Sequence, residues 1–297
     1  MSAKDHFPHL LEVLPEDGDA TISTLELLWR AAPEQVGELD AVFSSGIQAR
    51  LSRGKSPTLG VTFNALQIPK EFLEQLWLLS HAAWNDLLQF DKLKRDPKAF
   101  VENSLVAKAV EAARMLAKGE RPGWPSEIPA FQEEKPGVEA KAVRELFAMA
   151  AAWAILHEVQ HAKFFEDQNR PKNIVDEEMA CDAYASDVLL SKIQKYHELT
   201  GEEIDRVRGK RAMSSLVGLY YVARLSAESR SNSDHPPVQC RIKLLFDKIG
   251  ADPASYFWTF ALALVWGLNP SIATMPVSLP DPSQRDLAYC ALAGAFT

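Results

Sequence analysis

His157-Glu158-Val159-Gln160-His161 sets two imidazoles four residues apart with a carboxylate beside the first. Residues four apart share one face of a helix. His157 and His161 can therefore share a zinc ion, and Glu158 can act as general base on the water bound to it. A catalytic zinc takes three protein ligands and keeps a fourth position open. The next acidic cluster, Asp176-Glu177-Glu178-Met179-Ala180-Cys181-Asp182, offers the third. Glu178 and Asp182 share a helical face, so Glu178 can reach the ion while Asp182 accepts the free N–H of His157 and fixes its tautomer. Asp176 and Glu177 are possible substitutes for Glu178, although acids at the start of a helix also serve simply as solvated partners of its dipole, the expectation for Glu177. Cys181 is the obvious candidate for a fourth, closing ligand. It is expected to point about 100° away from Asp182 and so to miss the ion. A third group, His235-Pro236-Pro237-Val238-Gln239-Cys240-Arg241, puts His235 at a helix entrance and Arg241 about two turns further on. His235 can donate to the oxyanion of a tetrahedral intermediate, and Arg241 can hold a site carboxylate by a bidentate pair.

These groups need elements to carry them. Apolar residues Val143, Leu146, Phe147, Ala150, Trp153, Ala154, Ile155 and Leu156 predict a helix from about Val138 that is apolar nearly all round when it reaches His157, and hence buried. The turn at Asn169–Asn173 returns the chain into a helix that runs to Leu190. Leu59–Ile68 alternates apolar with small or polar residues and predicts a strand or hairpin, ended by Pro69 at the start of the next helix. Such an edge can hold a substrate backbone by strand addition. Helical spacing also marks 21–31, 33–51, 97–116 and 212–227. The proline-rich stretch from Gly119 to Gly137 reads as a surface loop, with a lid or linker as its expected use. Tyr256–Leu268 is apolar but shorter than the ~20 residues of a membrane span, and reads as a buried core helix.

The chain has 297 residues, 47% of them hydrophobic, and a net charge of −8. That is enough for a sizeable core and argues against binding nucleic acid by phosphate neutralisation. Low glycine and long alanine and leucine runs favour helix, so the fold class expected is mainly α (α+β). Three widely spaced cysteines fit free thiols in a reducing compartment. The acidic, proline-bearing N-terminus lacks the apolar run of a signal peptide. A soluble, cytoplasmic protein is expected. Residues 57–250 form the expected catalytic core, with an N-terminal helical region at 1–56 and a C-terminal helical cap at 251–297, in one continuous domain.

The order HExxH, ExxxD, HPxxxxR resembles gluzincin zinc peptidases of the HtpX and CAAX-prenyl-protease type. The resemblance implies a zincin-like core, zinc on His157, His161 and Glu178, Glu158 as base, His235 at the oxyanion, and Asp182 and Arg241 in support. Those families span membranes, whereas this chain shows no span, and Cys181 stands where they carry a small residue. In build, the chain is more similar to the Lit family of phage-exclusion peptidases, whose founding member cleaves elongation factor Tu. The implied function is zinc-dependent cleavage of an intracellular protein such as that factor. Two alternatives are a single-target peptidase acting on a repressor and a non-catalytic, zinc-stabilised binding protein with a closed site.

Overall fold

A computed structural model describes residues 32–35, 37, 48–50, 59–62, 65–95, 105–131, 133, 136–226, 236–268 and 283–294. In chain order these form a 3-10 turn (Pro33–Gln35), strands β1 (Gln48–Arg50), β2 (Gly60–Thr62) and β3 (Ala65–Gln67), then helices α1 (Lys70–Leu88), α2 (Phe90–Arg95), α3 (Leu105–Ala117), α4 (Val138–Glu166), α5 (Ile174–Leu190), α6 (Ile193–Thr200) and α7 (Ile204–Tyr220). A π-helical turn (Tyr221–Ser226) extends α7, and α8 (Val238–Ile249), α9 (Tyr256–Leu268) and α10 (Gln284–Gly294) complete the described chain. The fold is mainly helical, as composition predicts.

Helix α4 is the axis. Every residue from Leu146 to Val159 is buried, because its apolar residues occupy all sides rather than one stripe. Helices α5 and α7 pack along it, and α1, itself packed on α3, meets it from another side. Trp153 is fully buried on α4 and donates its indole N–H to Ser186 Oγ of α5 at 3.0 Å. On the α7 side Gly218 permits the close approach. A Cβ there would lie 2.7 Å from the Ala150 carbonyl oxygen and 3.0 Å from Cβ of Trp153. Helix α9 is a core helix, with Phe257, Trp258, Phe260 and Leu262 buried. Among the described residues no helix is long and apolar enough to cross a membrane.

The expected strand over Leu59–Ile68 is divided into β2 and β3, which pair antiparallel with Val61 opposite Leu66. Both strands contact α4. Pro69, extended at φ −75° and ψ 151°, ends the strand region and precedes α1. The helix expected over 33–51 is not continuous. Its last residues form β1, which pairs parallel with β3, so pairing with a distant strand overrides local helical spacing. The sheet order among the described residues is β1-β3-β2, leaving β2 at an edge. The 3-10 turn docks on the end of α5, where Gln35 Nε2 donates to the Val188 carbonyl at 2.7 Å. Its Glu34 accepts from Arg211, whose guanidinium also donates to the Leu189 carbonyl at 2.9 Å. The expected helices over 21–31 and in the first half of 97–116, and the turn at Ser52–Ser56, lie outside the described residues.

The described part of the proline-rich stretch is anchored to α1 at Pro129 and folds on itself through Trp124. The indole N–H groups of Trp77 and Trp124 both donate to the Pro129 carbonyl, at 2.9 and 3.2 Å. Ile128 is buried, and Phe131 meets Trp77 and Phe147 edge to face.

Two glycines of α7 separate packing from propensity. Gly209 has open space where a Cβ would go. Gly209→Ala should stabilise the protein by about 0.5–1 kcal/mol through lost chain entropy. Gly218→Ala should destabilise it by about 1–3 kcal/mol through overpacking against α4. Urea melts of the two variants check the pair, and equal shifts would show that the α4–α7 contact is not tight at Gly218.

Candidate metal centre

Helix α5 begins with Asn173 as its cap, the side-chain oxygen accepting from the Asp176 backbone N–H at 2.8 Å. That cap fixes the register in which Glu177, Glu178, Cys181 and Asp182 meet α4. Nε2 of His157 and Nε2 of His161 lie 3.3 Å apart. Glu178 presents Oε2 to the first at 3.4 Å and Oε1 to the second at 3.5 Å. A tetrahedral ion with arms of about 2.0–2.1 Å separates its donors by roughly 3.3–3.4 Å along each edge. The two nitrogens stand at that spacing, and each faces a different oxygen of the Glu178 carboxylate at a similar distance.

The other ring nitrogens face carboxylates. His161 Nδ1 lies 2.7 Å from Glu177 Oε1. His157 Nδ1 lies 2.9 Å from Asp182 Oδ1, off the ring N–H axis. Protons on both Nδ1 atoms leave both Nε2 lone pairs directed toward the Glu178 carboxylate. Acceptors facing acceptors in a buried space need a cation between them. A proton can fill that need. Burial acts to lower the pKa of His157, but hydrogen bonds that the ring donates to Asp182 and Glu178, with the charges of those carboxylates, outweigh it and raise the pKa to about 9. The His157 ring is further fixed by Trp153, stacked one turn earlier at 5.7 Å between centroids.

Arg241 of α8 is 2% exposed and joins the carboxylates of α5. Its Nε donates to Asp182 Oδ2 at 2.7 Å and its Nη2 to Asp182 Oδ1 at 2.6 Å, while Nη1 stands 3.2 Å from Glu178 Oε2. Burial would raise the Asp182 pKa, yet the charge and hydrogen bonds of Arg241, with His157, hold it below the ordinary carboxylate range. Glu158 is buried on α4 beside His157.

Two expectations need correction. Glu177 is not a solvated helix-end acid. It is 3% exposed, and it joins the His161 ring to Arg170, whose Nε lies 2.5 Å from its Oε2. The adjacent acids Glu177 and Glu178 thus divide between the two nitrogens of one imidazole. Cys181 does not point away from the site. It stands three residues after Glu178 and so shares that residue's face. One donor atom each from His157, His161 and Cys181 lie within 4.8 Å of one another, a buried cluster that could bind a metal. Measuring the angle from Asp182 alone conceals this, whereas the spacing from Glu178 shows it. Glu178 approaches both rings more closely than that limit, and burial and the surrounding carboxylates push the Cys181 thiol well up. His235 lies outside the described residues.

Residues 66–261, well over half of the chain and including both site helices, match the family described as Peptidase U49. The chain belongs to the Peptidase U49 family. A peptidase takes a protein or peptide substrate, and the match covers every site residue named above. No curated protein and no solved structure matches the chain.

Arg241 is the cation that two buried carboxylates share. Arg241→Met should destabilise the metal-free protein by about 3–5 kcal/mol, since it removes the guanidinium that Asp182 and Glu178 share and leaves them only the His157 ring. Chemical unfolding of chelator-treated protein measures this. A loss under about 1 kcal/mol would mean that water or another group replaces the guanidinium.

Proposed function

We propose that this U49 peptidase is a zinc-dependent endopeptidase with a zincin-like core at 57–250, flanked by 1–56 and 251–297. One observation carries the reading. His157 Nε2 and His161 Nε2 stand 3.3 Å apart, and the two oxygens of Glu178 face them at 3.4 and 3.5 Å, a donor set within reach of one zinc ion. Their chemistry fits the ion, with two neutral imidazoles and one carboxylate, each backed by an outer partner: Asp182, Glu177 and Arg241. When bound, zinc would polarise the scissile carbonyl and make its water acidic enough to ionise near neutral pH.

The chain's own residues do the rest. Glu158 takes the proton from the attacking water and delivers it to the leaving amine. His235 donates to the developing oxyanion. Asp182 and Glu177 hold the two imidazoles in the tautomer that presents Nε2, and Arg241 holds Asp182 and Glu178. The β2 edge, which belongs to a sheet in contact with α4, receives the substrate as an added strand. By the sequence resemblance to the Lit family, the substrate proposed is an intracellular translation factor, with elongation factor Tu the first to test, and the setting is phage exclusion in the cytoplasm.

The test is cleavage of purified elongation factor Tu, and of unfolded casein as a general substrate, followed on gels beside metal analysis. Glu158→Gln should keep its zinc and lose cleavage by about 10²–10⁴-fold. A Glu158→Gln protein that cleaves at the wild-type rate would remove Glu158 from the chemistry. Cutting of casein but not of elongation factor Tu would reject the target and leave the peptidase.

A further inference from the structure

Cys181 is unused by the mechanism above, yet it stands inside the site. It is fully buried and free, on the face of α5 that carries Glu178. Its Sγ and one nitrogen of each histidine lie within 4.8 Å of one another. Glu178 presents one oxygen to each of the same two rings, so α4 and α5 each bring two donor side chains to the site. A closed, four-ligand site is the arrangement of a structural zinc, whereas a hydrolytic zinc keeps one position for water. A site that holds both a full donor set and a general base can pass from one arrangement to the other if a single ligand leaves.

Cys181 is the ligand able to leave. Both histidines are held at Nδ1 by Glu177 and Asp182, and Glu178 is held by Arg241. Among the described residues the Cys181 thiol has no such hydrogen-bonded anchor. We infer that Cys181 is a fourth protein donor that closes the metal site at rest and gives up its place when substrate is seated. This inference rests on the zinc reading given above. Coordination releases the thiol proton and makes Cys181 a thiolate. When the sulfur leaves the ion it takes a proton back, so no oxidant or reductant is involved. A peptidase built this way is quiet until its substrate opens it.

The test uses the full chain loaded with zinc or cobalt(II), with no substrate present. The zinc protein should show a sulfur shell at about 2.3 Å in X-ray absorption, and the cobalt protein a near-ultraviolet sulfur-to-metal charge-transfer band. Cys181→Ser should lose both signals while still binding metal. Its zinc affinity should fall by no less than the roughly 10–100-fold that loss of an outer partner costs. A Cys240→Ser/Cys290→Ser variant should keep both signals, because those thiols are exposed and lie outside the buried cluster. Metal bound by nitrogen and oxygen alone, or a sulfur band that survives Cys181→Ser, would overturn this inference and leave the zinc reading standing. Failure to take up either metal would overturn both.

Discussion

Four carboxylates and two imidazoles share a buried volume at the junction of α4 and α5, and nearly every other feature of the site follows from their need for positive charge. Glu158, Glu177, Glu178 and Asp182 are all buried. Unpaired, each would cost several kcal/mol to remove from water. Arg241 and Arg170 meet the outer edge of the group, at Asp182 with Glu178 and at Glu177 respectively. At the inner edge Nε2 of each histidine faces Glu178, whose Oε2 also meets Nη1 of Arg241, and this is where the proposed ion would sit.

A site of this kind depends on rigid backbone. Helix α4 supplies it by burying itself on all sides as far as Val159, which encloses His157, while the partly exposed His161 is held by Glu177. Trp153 connects this scaffold to the chemistry through its bond to Ser186 and its stack on His157. Gly218 brings α7 close enough to pack on that tryptophan from the other side. The Glu34–Arg211 pair, remote from the site, ties the end of α5 to the chain's N-terminal part. The helix that carries Glu178 and Asp182 is thus held at its start by Asn173 and at its end by Arg211 and Gln35.

What was legible in the sequence was mostly local. The run into His157 specifies a buried helix, Pro69 marks a boundary, and the apolar run at Tyr256–Leu268 specifies a core helix too short to be a span. The place of Arg241 beside a site carboxylate was readable only in company, because the HPP turn alone suits a solvent-facing arginine and the two earlier motifs supply the carboxylate. What was not legible depended on partners far away in the chain. The strand Gln48–Arg50 exists through its pairing with Ala65–Gln67, which no local period announces. Glu177 reads as an ordinary helix-start acid until the His161 ring and Arg170 are placed against it. Cys181 was legible in principle, since its spacing from Glu178 puts both on one face. His235, given a role by its sequence context, lies outside the described residues and keeps that role as a proposal.

The central claim is that the convergence of His157, His161 and Glu178 is a zinc site. It is tested most directly by the metal content of the purified protein beside a His161→Ala control. A single zinc per chain in the native protein, absent from the control, is the expected result. No zinc in either protein, even after reloading from a metal-free state, would contradict it. The buried acceptors would then be held together by protons alone.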